Sequence, residues 1–571
     1  MNQLIHSFIK CKWKWKYKTF LALAIAPNTS QALDTVDSIK LGTAGLQLID
    51  WALIVIYALA TIALGLYYSR RQTSTEEYFI GNGKMNPTVI GISLFATLLS
   101  TISYLAMPGE ASGKGPVVMS SFIALPMVYF VVGYLLLPIY MKRRVTSAYE
   151  LLEGRLGLSI RLLGGVLFIA LRLVWMTLLV YIAAKAMVIM MGIDAQWMPW
   201  IVLAIGVVSI IYTTLGGIRA VVITDCVQTV LMFGGALLVI AMVTYDFGGF
   251  SWVPTQWQPH WDAQPIISLD PKTRVTVVGT VLSIFVWYTA TLGGDQTSIQ
   301  RFMATENVIQ ARKALLIQLS TAFIIQLTLV IVGFAVLSYF QTHTDQLPAT
   351  MSIKNNADEL FPHYIAFHLP VGIAGLVVAA MFAAAMSSID SGVNSITAVV
   401  SSDFLERFGW QAQTKRAHMF RVRLLALSIG AIVILSSSMM EYIEGNITAV
   451  TAKTVNLLTT PIFGLFFFAL FVPRARAWHV WLATITSVIV AALIAFSGPL
   501  VYFLHTYFGI EPISLNSAFI IKTDAATGET WTTCEDPISF QWIGPIALLT
   551  SITVGLIAIR LFPSSRPVPL K

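Results

Sequence analysis

About thirteen stretches of roughly 20 mostly apolar residues follow one another along this chain, and they limit its fold more than anything else in it. They lie near 50–69, 87–112, 117–141, 160–192, 197–218, 220–246, 273–300, 313–340, 370–400, 423–441, 446–473, 477–503 and 543–562. A helix of about 20 apolar residues crosses a hydrocarbon core about 30 Å thick. Inside that core the backbone must satisfy its own hydrogen bonds, so runs of this length read as helices. The expected fold is an all-α polytopic membrane protein. Only 11% of the 571 residues are charged, against about 25% in soluble domains. The mean hydropathy is +0.75.

The net charge of +8 does not point to nucleic acid, because most cations sit in short loops between apolar runs, where they set topology. Arg70 and Arg71, Lys142 to Arg144, Arg312 and Lys313, Lys415 and Arg416, Arg474 and Arg476, and Arg560 all fall on one side. The opposite loops hold few cations, chiefly Lys114, Lys272, Lys354 and Lys522. The positive-inside rule puts the mature N-terminus outside and the C-terminus inside. Cys11, Cys226 and Cys534 are too scattered for a disulfide framework or a metal site. No Gly-rich phosphate loop, HExxH or GxSxG occurs, so no enzyme is expected.

Residues 1–48 form a tail in which Lys10, Lys12, Lys14, Lys16 and Lys18 alternate with aromatics before the short run FLALAIA. The pattern fits a signal peptide ending near Ala26 or Ala32, or a membrane-hugging tail. Residues 49–571 then read as a single membrane domain, because the polar loops 246–272, 341–369 and 504–542 are too short for separate domains.

Within the apolar spans, Ala383–Asp403 carries an oxygen stripe. Ser387, Asp390, Ser391 and Asn394 fall at i, i+3, i+4 and i+7, one face of a helix. Such a face in a membrane turns toward a cavity, a partner or an ion. Two spans also carry hydroxyls next to helix breakers. The second runs through Thr97, Ser100, Thr101, Ser103 and Tyr104 to Pro108-Gly109; the seventh runs through Tyr288, Thr289 and Thr291 to Gly293-Gly294-Asp295. They stand five spans apart and so point in opposite directions. Paired interrupted helices are the sequence pointer to an inverted-repeat transporter. The repeats would cover about 87–246 and 273–473, with 50–69, 477–503 and 543–562 peripheral.

The stretches STEEYFIGNGKMNP (74–87), VTSAYELLEGRLG (145–157), YTTLGGIRAVVITDCVQT (212–229), DQTSIQRFMA (295–304) and AAAMSSIDSGVNS (383–395) resemble the sodium/solute symporter family over most of residues 50–480. The resemblance implies a LeuT-like five-plus-five inverted repeat and sodium as the coupling ion. It places one sodium between the broken second helix and the Ser pair of the ninth: the carbonyls of Ala96, Leu99 and Ala384 and the hydroxyls of Ser387 and Ser388. A hard alkali cation prefers oxygen, and carbonyls are free where a membrane helix unwinds. Helix packing with a back-bond is the plainer reading of the Ser pair. The resemblance also implies a second sodium site from Asp225, Asp390, Ser391 and Ser387, where one expected hydroxyl is instead the Asp390 carboxylate. Facing carboxylates repel unless a cation or proton lies between them; a protonated or base-paired Asp390 is the alternative.

Aligned through the flanking motifs, the polar set that binds a hexose in the sugar branch becomes Ser103, Phe122, Leu125, Tyr288 and Ala322, so a hexose is disfavoured. The motifs look closer to the branch carrying monocarboxylates, carboxylate vitamins and iodide. The expected substrate contacts are Ser103, Tyr104, Phe122, Tyr288, Thr291 and Lys453. Lys453, in an otherwise uncharged span, costs about 2.5–3.5 kcal/mol to insert, which an anionic solute would offset; snorkelling or a pair with Asp390 would do so too. Arg172 and Lys185 are further intramembrane cations without an assigned role.

The expected activity is sodium-coupled import of a small, anionic, monocarboxylate-like solute by alternating access. The protein would be multi-pass in the plasma membrane, the inner membrane if bacterial, as a monomer or weak homo-oligomer. A sodium-binding receptor, a passive channel and a proton-coupled carrier of a neutral solute are the rival readings.

Overall fold

The computed structural model describes residues 46–69, 75–142, 145–191, 193–262, 265–348, 351–354, 356–410, 414–439, 447–523 and 530–562. The expected signal peptide or tail lies outside the described residues. In chain order the helices are α1 (Leu48–Ser69), α2 (Thr75–Ile80), α3 (Pro87–Leu98), α4 (Thr101–Lys114) and the segmented α5 (Pro116–Tyr140). Then come α6 (Glu150–Leu156), α7 (Leu158–Met191), α8 (Met198–Asp246), α9 (Val277–Gly294), α10 (Gln296–Met303) and α11 (Val308–Thr342). The chain continues through α12 (Ala357–His368), α13 (Ile373–Val399), α14 (Lys415–Ser437), α15 (Ile447–Phe471), α16 (Ala477–Ala495), α17 (Ser497–Phe508) and, after a strand pair, α18 (Ile543–Leu561).

Among the described residues, eleven helices are long and apolar enough to cross a membrane, or twelve if the bent pair α3–α4 counts as one span. The 49 residues of α8 would reach about 74 Å at 1.5 Å per residue, more than twice a bilayer core. They do not run straight. Gly217 takes φ 57° and ψ −168°, and a Cβ on Gly216 would lie 2.3 Å from that of Ala220. A continuous helix keeps such atoms about 5–6 Å apart. The chain therefore turns sharply between the stretches expected at 197–218 and 220–246.

Three expectations are corrected. The first break lies at Leu99–Ser100, not at Pro108-Gly109. Leu99 is extended (φ −82°, ψ 117°), Ser100 Oγ accepts from the Ser103 N–H at 3.4 Å to cap α4, and the axis bends by 66°. Pro108 stays inside α4 in tight packing, where a Cβ on Gly333 of α11 would come within 2.4 Å of its carbonyl oxygen. Second, the span expected at 477–503 ends at Ala495, and Phe496 turns the chain into α17. Third, the fold is not wholly helical: β1 (Phe519–Thr523) pairs antiparallel with β2 (Thr530–Cys534), Phe519 opposite Cys534. Both strands carry the β-branched residues that favour a pleated surface. The second break matches its expected place, since α9 ends at Gly294 and Asp295 Oδ1 caps α10 by accepting from the Thr297 N–H at 2.8 Å.

Helix α13 forms the centre, buried on nearly every side from Ala374 to Val399. Its small residues let neighbours approach closely. A Cβ on Gly375 would meet the Asp50 backbone of α1 at 2.5 Å, and one on Gly392 would meet Met176 Sδ of α7 at 2.3 Å. An Ala- and Gly-rich helix packs this way in a membrane, where small side chains bring backbones together.

Candidate functional site

The broken span meets the oxygen stripe of α13. A helix end leaves its last carbonyls without intrahelical partners, and α3 ends inside the protein rather than in water. Ser387 Oγ lies 2.9 Å from Ala96 O and 3.1 Å from Ala384 O. Ser388 Oγ donates to Thr97 O at 3.1 Å. Leu99, 2% exposed, is the residue at which the helix stops. Of the five residues expected around the first sodium, Ala96, Ala384 and Ser387 are thus brought into one oxygen cluster, with Ser388 and Leu99 beside it. Neutral, buried hydroxyl and carbonyl oxygens suit a hard monovalent cation.

One turn further along α13 the arrangement differs from expectation. Arg301 of α10 is 1% exposed and stands between Asp225 and Ser391. Its Nη2 donates to Ser391 Oγ and reaches Asp225 Oδ2 at 3.3 Å, while its Nε donates to Ser93 Oγ at 2.8 Å. Ser93 Oγ in turn donates to Asp225 Oδ2 at 2.5 Å. Asp390 faces Thr213, whose hydroxyl donates to its Oδ1 at 2.5 Å. Asp225, Asp390, Ser391 and Ser387 therefore do not enclose one open cation position, because a guanidinium already meets the first carboxylate. Asp225 Oδ1, Asp390 Oδ2 and Gln228 Oε1 are buried without hydrogen-bond partners among the described residues. Arg301 lies in the DQTSIQRFMA stretch, yet nothing in its spacing marks it as the partner of Asp225.

A cavity of about 200 Å³ opens beside the break. Ser103 of α4 and Tyr288 of α9 line it, as expected, together with Trp175, Gln326, Asn456 and Gln541. Three other expected contacts lie elsewhere. Tyr104 turns away, and its hydroxyl donates to Met232 O at 3.2 Å. Phe122 packs edge-on against Phe323 with centroids 5.0 Å apart, leaving Ser121 and Leu125 on the wall. Lys453 forms an ion pair with Asp536, and Asp536 Oδ1 also accepts from the Gly498 N–H at 2.9 Å. The offsetting anion is thus supplied by the loop before α18, which its own span cannot reveal.

The cavity wall carries one carboxylate, Glu110, paired with Arg274, which also holds Asp262 at 2.7 Å. Thr291 lines a smaller adjoining cavity of about 20 Å³ with Arg172 and Asp295. The two cations without a role now have partners: Arg172 Nη2 meets Asp295 Oδ2 at 2.6 Å, and Lys185 Nζ meets Glu359 Oε1 at 3.5 Å. Sequence reasoning missed Gln326, whose Nε2 donates to Tyr288 Oη at 3.3 Å, as well as Asn456 and Gln541. Lone amides in apolar spans were a usable signal for the first two. Gln541, whose Nε2 donates to Thr280 Oγ1 at 2.7 Å, arrives from a connecting segment and gave none.

Comparison with known proteins assigns the family. The profile of the sodium:solute symporter family matches residues 78–498. The sodium/sialic acid symporter SiaT of Proteus mirabilis is 29% identical over 479 residues, covering 81% of this chain and 92% of that protein. The human sodium-coupled monocarboxylate transporter 2 is 30% identical over 370 residues, 62% of this chain and 58% of that protein. A solved structure of a Na+-coupled sialic acid symporter, substrate-bound and outward-open with a novel Na+ site, superposes with a TM-score of 0.72 at 25% identity, covering 92% of this chain and 99% of that one. These relatives are transporters coupled to sodium, not enzymes, and the chain belongs to the sodium:solute symporter family.

Proposed function

We propose that the protein is a plasma-membrane importer that couples inward sodium movement to uptake of a small anionic solute by alternating access. The observation that carries the reading is Ser387 Oγ of α13 meeting Ala96 O and Ala384 O across the broken span. A cation there, with Ser388 and Leu99 completing its oxygen shell, ties α3 to α13 and favours the outward-open state. The solute then docks in the cavity beside Ser103 and Tyr288, and the bundle of repeats rocks inward.

Adding the second half of α8 and the bent α3–α4 pair to the eleven single helices gives thirteen spans. That odd number, with the loop cations, supports an N-terminus outside and a C-terminus inside. The two breaks support the five-plus-five repeat, with residues 49–571 as one membrane domain in this reading.

Charge supports two coupling cations. Among the described residues, and apart from the Glu110–Arg274 pair, five buried ionisable groups lie around the breaks: Arg172, Arg301, Asp225, Asp295 and Asp390. If all are ionised their sum is −1, which one sodium at Ser387 neutralises. A monoanionic solute brings the sum back to −1 and calls for a second cation. Asp390 Oδ2, which no described residue meets, is the oxygen to hold it, since Arg301 already answers Asp225. The relatives that carry sialic acid and monocarboxylates support an anion; Lys453, engaged by Asp536, no longer does.

The test is uptake by proteoliposomes of labelled sialic acid, lactate, a neutral hexose and a neutral amino acid, with sodium replaced by choline at constant pH. Sodium-dependent, saturable uptake of an acid is the expected outcome. Uptake of the acid that persists in choline and follows a pH gradient would transfer the coupling to a proton on Asp390. Uptake confined to the neutral solutes would reject the anion.

A further inference from the structure

The small cavity beside the solute chamber holds two buried donors that no described residue satisfies. Arg172 is 6% exposed and Thr291 3%, and both line a space of about 20 Å³ with Thr97 and Asp295. Arg172 Nε and Thr291 Oγ1 have no hydrogen-bond partner among the described residues. Of the five N–H donors of a guanidinium, Arg172 spends one on Asp295 Oδ2, at 2.6 Å. Asp295 cannot turn to meet more of them, because its other oxygen caps α10 by accepting from the Thr297 N–H. The ring of Phe168, 6.0 Å from Arg172 Cζ, helps hold the guanidinium in place.

Buried polar groups are nearly always hydrogen-bonded. Two orphaned donors in one recess therefore imply an acceptor that is not part of the protein. A recess of about 20 Å³ exceeds the about 10–15 Å³ that a single water needs and is far too small for a whole solute. It shares Leu98, Trp175, Trp287 and Val455 with the large cavity, so a group inside the recess can belong to a molecule whose body lies in the chamber.

We infer that this recess is the subsite for the solute's carboxylate, with Arg172 and Thr291 as its donors. The inference rests on the reading of the protein as a sodium-coupled importer of an anion. It also supplies the contact that Lys453 does not make. Thr97 lines the recess, and its own carbonyl accepts from Ser388, while the carbonyl of the preceding residue, Ala96, meets Ser387. Carboxylate and sodium thus sit at neighbouring residues of one helix end. Opposite charges so placed in a low dielectric raise each other's affinity, and an uncharged head group would gain nothing from the sodium.

The test uses the purified full chain with lactate, nicotinate and sialic acid, each paired with its own carboxamide. Binding is read by competition and thermal shift in sodium chloride and in choline chloride. In the wild type at least one acid should bind about tenfold or more tighter than its amide, and only in sodium. Arg172→Lys keeps the charge facing Asp295 but removes the Nε donor; Thr291→Val is nearly isosteric and removes the hydroxyl. Each should cut the acid's affinity about tenfold to hundredfold, the range for one hydrogen bond to a charged group. Amide affinity should fall by less than the acid's, because a neutral carbonyl gains less from the same donors, and the sodium-induced thermal shift should persist. Thr291→Val keeps the test sound if Arg172→Lys folds poorly. Acids and amides that bind alike, or variants that keep the wild-type preference, would overturn the inference and leave water as the recess's occupant. Sodium-dependent uptake without acid preference sinks this subsite alone, whereas uptake of every solute independent of sodium sinks the symport reading beneath it.

Discussion

Replacing Asp390 by Asn tests the charge balance around the breaks. The change removes one negative charge and keeps the shape. Asn Oδ1 can still accept from Thr213, as Asp390 Oδ1 does at 2.5 Å. The new Nδ2 takes the place of an oxygen that had no partner, at a cost of about 1–3 kcal/mol for an unsatisfied buried donor. Loss of an uncompensated buried carboxylate offsets part of that, so the melting midpoint should move little. Transport should move a great deal. Each charge entering at 100 mV contributes about 2.3 kcal/mol, and a tenfold sodium gradient adds about 1.4 kcal/mol per ion. Two sodium ions with one monoanion then give about 5 kcal/mol, a several-thousand-fold accumulation. If Asp390 holds the second cation, Asp390→Asn leaves one sodium per monoanion. The voltage contributions cancel, and about tenfold accumulation remains. The assay is concentrative uptake into proteoliposomes at a clamped potential, with current recorded on a supported membrane. Wild type should carry one net positive charge per solute, and the variant none. A folded Asp390→Asn protein that still carries current and accumulates solute more than about hundredfold would refute the assignment.

Three further outcomes follow from particular contacts. Ser387→Ala removes the hydroxyl that meets Ala96 O and Ala384 O; the sodium concentration for half-maximal uptake should rise about tenfold to hundredfold, and a shift under about twofold would place the ion elsewhere. Lys453→Met breaks a partly buried pair with Asp536 outside the solute cavity, so solute affinity should stay within about threefold; a tenfold loss measured by uptake would return Lys453 to the solute. His368 of α12, outside the membrane spans, is lowered to about 4 by burial and then by the charges of His363 and His343. Because its folded value lies below its unfolded one, its contribution is present above about pH 6.5 and lost as the pH falls toward 4. The melting midpoint should drop over that window, and His368→Gln should flatten the drop.

The spans were legible because a bilayer leaves a chain few choices. Runs of apolar residues of the right length must be helical, and the turn at Gly216-Gly217 was legible as the join between two such runs. The oxygen stripe of α13 was legible for the same reason, since polar side chains in a membrane helix need a destination. The polar pairings were less accessible. Asp225 and Arg301 are 76 residues apart, and Lys453 and Asp536 are 83 apart. An ion pair depends on where helices meet, which neither residue's own span encodes. The break at Leu99–Ser100 escaped the local reading because Pro108 is the stronger helix breaker, yet a cap supplied by Ser100 and a close approach at Gly333 decided the matter.

The same pairings explain how so much charge can lie at membrane depth. An isolated buried charge is costly, but around the breaks Arg301 answers Asp225 and Arg172 answers Asp295, so of the described ionisable groups there only Asp390 is left over. A carrier must cross the membrane's interior in more than one state, and each state has to stay near neutrality. One unpaired carboxylate accomplishes this: empty, the site attracts a cation; loaded with sodium alone it is neutral; and a monoanion enters only when a second cation accompanies it. On this argument the coupling ratio is set less by the number of oxygen cages than by the count of unpaired charges. Asn at position 390 should therefore change stoichiometry even though it leaves the Ser387 cage intact.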